Sequence, residues 1–341
     1  MFEASPKASG LIAPGVRFFF SDSRPGATMS PGIEETIQRL QSNMESVVLG
    51  KPDVVKLTLV ALLAGDHLLL EDVPGVGKTL LGKALARSIE GKFNRIQFTP
   101  DLLPSDIVGS SVFHASDGEF RFHPGPIFAH VVLGDEINRA PPKTQSALLE
   151  AMSERQVSVD GTTHKLPDPF LVIATQNPYE FEGTYLLPES QLDRFLLRIK
   201  VGYPPREVER QVFRSHQAGE PVDALPSVAT VADVLKIQEA VRAIHADDSV
   251  LDYLQDIVEG TRNHRRISVG LSTRGALGLY RAGQAFALLE RRSYMIPDDI
   301  KRLAVPVIAH RLIPEGFSAG TERDATESMV EEILVGIRVP V

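Results

Sequence analysis

Leu68-Leu69-Leu70-Glu71-Asp72-Val73-Pro74-Gly75-Val76-Gly77-Lys78-Thr79 sets an apolar, strand-like run directly before a glycine-rich turn and a Gly-Lys-Thr triplet, and a helix-like segment follows. That order suits a phosphate-binding loop. Gly75 and Gly77 let the backbone turn tightly enough to aim successive N–H groups at one anion. Lys78 can neutralise β- and γ-phosphates, and the Thr79 hydroxyl can ligate Mg²⁺. The generic pattern G-x-x-x-x-G-K-[ST] is met except at its first position, where Asp72 stands.

Such a site needs a carboxylate to hold the metal, and Val131-Val132-Leu133-Gly134-Asp135-Glu136 is an apolar strand ending in two acids. Asp135 is placed to hold the hydrated Mg²⁺ and Glu136 to polarise the attacking water. A third strand candidate, Phe170 to Thr175, leads into Gln176 and Asn177, whose amide can bond the lytic water or the γ-phosphate. Guanidinium groups suit the charge that spreads over the γ-phosphoryl oxygens. Arg194, in Leu192-Asp193-Arg194-Phe195, and Arg274, in Ser272-Thr273-Arg274, are the candidates.

With these residues in this order the chain resembles AAA+ ATPases, and more closely the MoxR family. The resemblance rests on Glu71 through Thr79, on Asp135-Glu136-Ile137-Asn138-Arg139-Ala140-Pro141-Pro142-Lys143 and its continuation to Met152, and on Ala174 to Pro178. It also rests on Gly183 to Phe195, and it spans roughly residues 33 to 340. It implies Walker A roles for Lys78 and Thr79, with Pro74, Gly75, Val76, Gly77 and Leu80 at the nucleotide, and Walker B roles for Asp135 and Glu136. It further implies sensor 1 at Asn177, an arginine finger at Arg194 and sensor 2 at Arg274. Val48, Leu49 and Gly50 resemble the segment that edges the adenine. Leu186 departs from an expected proline, which touches only the local loop shape.

The chain has 341 residues, 43% of them hydrophobic, enough for two domains with real cores. With no cysteine there is no disulfide framework, thiolate metal site or cysteine nucleophile. A net charge of −8 disfavours nonspecific nucleic-acid binding. Arg262-Asn263-His264-Arg265-Arg266 is the best basic patch, and a solvated loop is its simpler role. No stretch has the apolar length of a membrane span, and the N-terminus lacks a signal-peptide layout, so a cytoplasmic protein is expected. Residues 1–30 are rich in proline and glycine with no helical period and read as a disordered leader.

The expected fold is α/β: a P-loop NTPase core over 31–203 with a five-stranded parallel sheet, followed by an all-α lid over 204–341. Strand candidates are 67–71, 94–98, 131–134, 170–175 and 195–200. Two insertions read as β-hairpins, one turning at Ser116-Asp117-Gly118 and one at Asp160-Gly161. In ring-forming relatives such hairpins point into the central channel. Amphipathic helices are expected around 206–217, 231–245, 249–263, 273–290, 297–312 and 325–338.

The resemblance implies an ATP- and Mg²⁺-dependent ATPase, working as a homo-oligomeric ring, a hexamer, that remodels or matures a partner. Relatives pair with proteins bearing a von Willebrand factor A domain. The alternatives are the motor subunit of a metal-chelatase-like complex and a nucleotide-gated scaffold with little turnover. A GTPase is excluded by the lack of an N-K-x-D guanine reader.

Overall fold

Neighbouring strand residues point to opposite faces of a sheet, and the central strands here are apolar on both. The computed structural model describes residues 31–116, 118–178, 184–316 and 322–340. The expected leader and Gly183, the first residue of the Gly183–Phe195 motif, lie outside them. Two helices come first, α1 (Pro31–Glu45) and α2 (Pro52–Ala64). The core follows as β1 (Leu68–Glu71), α3 (Lys78–Ser88), β2 (Phe93–Gln97), α4 (Pro104–Val108), the hairpin β3 (Gly109–His114) and β4 (Glu119–Pro124), β5 (Val131–Asp135) and α5 (Pro142–Glu154). It ends with the hairpin β6 (Gln156–Val159) and β7 (Thr162–Lys165), then β8 (Leu171–Gln176), α6 (Glu189–Leu192) and β9 (Leu197–Ile199).

The five-stranded sheet runs β2-β5-β8-β1-β9, and every pairing is parallel. Its register sets Glu71 beside Gln176 and Gln97 beside Asp135, so the carboxyl ends of four strands form one edge. Ligands of open α/β sheets bind outside that edge. Leu68, Leu70, Leu133 and Ile173 bury one face against the flanking helices, while Leu69, Val132, Val172 and Ala174 bury the other.

Both hairpins form where expected. At the second turn Asp160 and Gly161 have φ of +49° and +77°, as a two-residue turn matched to strand twist requires. The hairpins also touch. The Phe122 ring stacks on His164 at 3.8 Å and meets Phe128 edge-on, whereas Phe120 on the same strand face is 72% exposed. Of these two phenylalanines, Phe122 is held by its own domain and Phe120 is open to solvent.

The lid comprises α7 (Arg206–Ser215), α8 (Val231–Arg242), α9 (Asp248–Arg262), β10 (Ile267–Val269), α10 (Thr273–Leu289), α11 (Pro297–Ile308), β11 (Ile313–Pro314) and α12 (Glu322–Gly336). Besides the expected helices it carries one short antiparallel pair, β10 with β11. Helix starts follow the capping rules: Thr230 and Asp233 close a capping box on α8, and Ser272 accepts the Gly275 N–H on α10. The basic patch is knitted into the lid, with Arg262 donating to the Leu271 carbonyl at 3.0 Å and Arg266 paired with Glu332. One continuous apolar cluster joins α1, α2 and the sheet to lid residues Val234, Ile257, Leu303 and Met329.

Candidate functional site

Gly75 and Gly77 adopt φ of +84° and +94°. An added Cβ would meet nothing within 4 Å at either, so backbone conformation rather than space calls for glycine. The turn delivers Lys78 as the first residue of α3, at the positive end of that helix. Its ammonium donates to the Asp72 carbonyl at 2.8 Å. Burial pulls the Lys78 pKa down, opposed by the nearby charges of Asp135, Asp72 and Glu136.

Asp135 ends β5 between β2 and β8, and both neighbours grip it. The buried Thr175 hydroxyl donates to Asp135 Oδ1 at 2.6 Å and accepts the Glu136 N–H at 2.9 Å. Arg95 of β2 pairs with Asp135 Oδ2 at 2.5 Å. Glu136 sits at φ +56°, an uncommon conformation for a residue with a Cβ, and its carboxylate is paired with Arg139 at 2.5 Å.

Gly75, Gly77, Lys78, Arg95, Asp135 and Glu136 line one cavity of about 850 Å³. Pro74 through Leu80 form one wall, with Asp135 and Glu136 in the lining beside it, and Val48 and Leu49 also line the cavity. Tyr203, Phe213 and His216 face them from the linker after β9 and from α7. Gly50 is not part of the lining. At φ +68° it lets α7 approach, since a Cβ there would come within 2.8 Å of a Val208 methyl. The Thr79 hydroxyl and the Asp135 carboxylate are hard oxygen donors on the same wall, which fits Mg²⁺. Among the described residues no group of three or more potential ligands forms a separate metal cage, so the fit is to a cation shared with phosphates.

The other three candidates lie outside that lining. Asn177 follows the end of β8 at the same sheet edge as Asp135. Arg194 and Arg274 are at the opposite edge. Arg194 precedes β9, which runs parallel to β1, so the length of β1, about 10 Å of strand, separates it from the phosphate loop. Its guanidinium donates to the Leu149 carbonyl at 2.5 Å. Arg274 is exposed at the start of α10; burial is what chiefly lowers the pKa of His67, which precedes β1, and of Arg311, and the charge of Arg274 adds to the lowering in each. Buried Arg311 ties this end together: it bonds Asp193 Oδ1 at 2.8 Å and the Phe195 carbonyl at 2.6 Å, and it packs beneath Gly275.

Thr175, Arg95, Arg139 and Arg311 gain roles that the sequence reading did not assign. The signal available for Thr175 was one hydroxyl in an otherwise apolar strand; the arginines carried none. Much of the Asp135–Met152 signature proves to hold the loop in place. Buried Gln145 donates to the Ile137 and Tyr185 carbonyls, both at 3.1 Å, and Thr144 donates to the Leu102 carbonyl at 2.7 Å.

The family described as "ATPase family associated with various cellular activities (AAA)" matches residues 67–197, and the AAA lid domain matches residues 259–333. The chain is 50% identical to the uncharacterised protein YeaC of Bacillus subtilis, over 88% of this chain and 93% of that one. It is 38% identical to Chaperone MoxR1 of Mycobacterium tuberculosis, over 94% and 86%. The crystal structure of a candidate ATPase from Cytophaga hutchinsonii superposes with a TM-score of 0.82 at 37% identity, covering 91% of this chain and 96% of that one. With 32% identity to the MoxR protein of Paracoccus denitrificans over 88% of this chain and 95% of that one, the chain belongs to the MoxR family of AAA+ ATPases.

Proposed function

We propose that the protein binds and hydrolyses ATP with Mg²⁺, acts as a homo-oligomeric ring, and uses turnover to remodel or mature a partner protein. The observation that carries this reading is the convergence of Lys78, Thr79, Asp135 and Glu136 on one cavity, with Arg194 and Arg274 at the far edge of the same sheet. Lys78 and the loop N–H groups bind the triphosphate, and Val48, Leu49 and the α7 wall enclose the base. Thr79 and Asp135 would hold Mg²⁺, which neutralises charge on the phosphate oxygens. Glu136 accepts the proton of the attacking water once its carboxylate is free of Arg139. Asn177 orients that water or the γ-phosphate.

Arg194 and Arg274 lie at the sheet edge remote from their own pocket, so their guanidinium groups serve the nucleotide of an adjoining subunit. A closed ring, hexameric by resemblance, meets that need. The likeness to Chaperone MoxR1 supports a chaperone-like role, and a protein with a von Willebrand factor A domain is the proposed partner. Exposed Phe113 and Phe120, rings 5.3 Å apart on the first hairpin, offer an apolar contact for it.

Lys78→Ala and Glu136→Gln test the nucleotide roles. Titration with labelled ATP should show binding lost in the first and kept in the second, with turnover lost in both. Equal loss of binding in the two variants would contradict the assignment.

A further inference from the structure

Asp72 stands where the generic phosphate loop has glycine, and both of its carboxylate oxygens are engaged. Oδ1 accepts the Val73 N–H at 2.8 Å, within the loop itself. Oδ2 accepts the Gly202 N–H at 2.5 Å, 130 residues away in the linker from β9 to α7. Gly202 has φ +67° and is followed by Tyr203 and Pro204, which line the base side of the cavity. Lys51, also in the lining, donates to the Tyr203 carbonyl at 2.8 Å and fixes the next link of the same wall. Beyond the linker, α7 has no buried residue, and Glu209, Val212, Phe213 and Ser215 face the cavity. Among the described residues the wall is attached by Val208 against Gly50, the Lys51 bond and the Asp72 carboxylate.

We infer that Asp72 is a positioning residue that couples the phosphate loop to the base-side wall, so that filling the phosphate end sets Tyr203 and α7 against the base and selects a whole nucleoside triphosphate over bare triphosphate. A glycine at this position has no side chain to join the two walls. An asparagine keeps the shape, but its NH₂ cannot accept, so one of the two N–H groups faces a donor. The carboxylate is also a like charge near the triphosphate. Its loss should leave binding of bare triphosphate unchanged or slightly tighter, while binding of ATP weakens. The two ligands thus move in different directions, which damage to the phosphate loop alone would not produce.

The inference rests on nucleotide binding in this cavity, and the experiment separates the two. Calorimetric titration of Mg·ATP and Mg·tripolyphosphate into the wild type, Asp72→Asn and Asp72→Gly is the direct test. The expected result is that the preference for ATP over tripolyphosphate falls by about tenfold or more in both variants, as loss of one charge-assisted hydrogen bond allows. An equal loss for both ligands, or no change in preference, overturns the coupling; failure of both ligands to bind the wild type overturns the nucleotide site itself. Hydrogen exchange on the wild type needs no variant. Tripolyphosphate alone should slow exchange in 202–215, and protection confined to the phosphate loop contradicts the inference.

Discussion

Thr175 is a buried hydroxyl in an apolar strand, and its two hydrogen bonds set the spacing of Asp135 and Glu136. Thr175→Val keeps the shape and removes both bonds, leaving the Glu136 N–H and Asp135 Oδ1 each short of a partner. The expected loss is about 1.5–3 kcal/mol of transition-state stabilisation, on the order of 10- to 100-fold in kcat, with smaller change in ATP affinity. Thr175→Ser should restore most of it; steady-state kinetics beside equilibrium binding check both.

Two histidines make a prediction about pH. His67 accepts the Val172 N–H at Nδ1 and bonds the Met152 carbonyl through Nε2, and buried His310 bonds the Phe195 carbonyl. Burial lowers the pKa of His67, and of His310 well below 6.5. The unfolded chain then takes up protons that the folded one refuses, so stability is full above about pH 6.5 and falls as pH drops below it. The slope approaches about 1.4 kcal/mol per pH unit for each histidine. Denaturant midpoints measured between pH 7.5 and 5.5 should fall accordingly; a flat profile contradicts neutral burial of these rings.

At the scale of elements, two phenylalanines of one hairpin strand, alike in sequence, differ in packing. Phe122→Ser removes a ring stacked on His164 and should cost about 1–3 kcal/mol of stability. Phe120→Ser removes an exposed ring and should change stability by less than about 0.5 kcal/mol while lowering stimulation by a client protein. Thermal unfolding alongside client-stimulated turnover separates the two substitutions. A shared loss of stability would place Phe120 in its own domain's packing and leave the client contact elsewhere.

Three of the five sheet strands were legible because Leu68–Leu70, Val131–Leu133 and Leu171–Ala174 are apolar runs bounded by polar or glycine-rich turns. The Asp160-Gly161 turn was legible because few residue pairs tolerate its dihedral angles. The β10–β11 pair, three residues against two, is too short to show alternation. The roles of Arg95 and Thr175 depend on register, which sets β2 and β8 on either side of Asp135; no local pattern in either strand states it. The Asp72–Gly202 bond spans 130 residues and has no sequence signature.

For the whole molecule, the continuous core from α1 through the sheet to the lid fixes Arg274 at the edge remote from Lys78. Arg311 fastens Asp193 beside Arg194 to the same end. On the proposed reading, a nucleotide pocket on one edge and two arginines on the other would make a subunit complete only beside another copy, since removal of such an arginine costs about 10³–10⁵ in rate in related NTPases. Mixing Arg194→Ala with Lys78→Ala protein tests this claim most directly. Each variant alone should be nearly inactive. In an equal, randomly assembled mixture about a quarter of interfaces pair an intact pocket with an intact arginine, so about a quarter of wild-type ATPase activity should return. No recovery, with co-assembly of the two variants confirmed, would contradict the account and put Arg194 outside the catalysis of a neighbouring site.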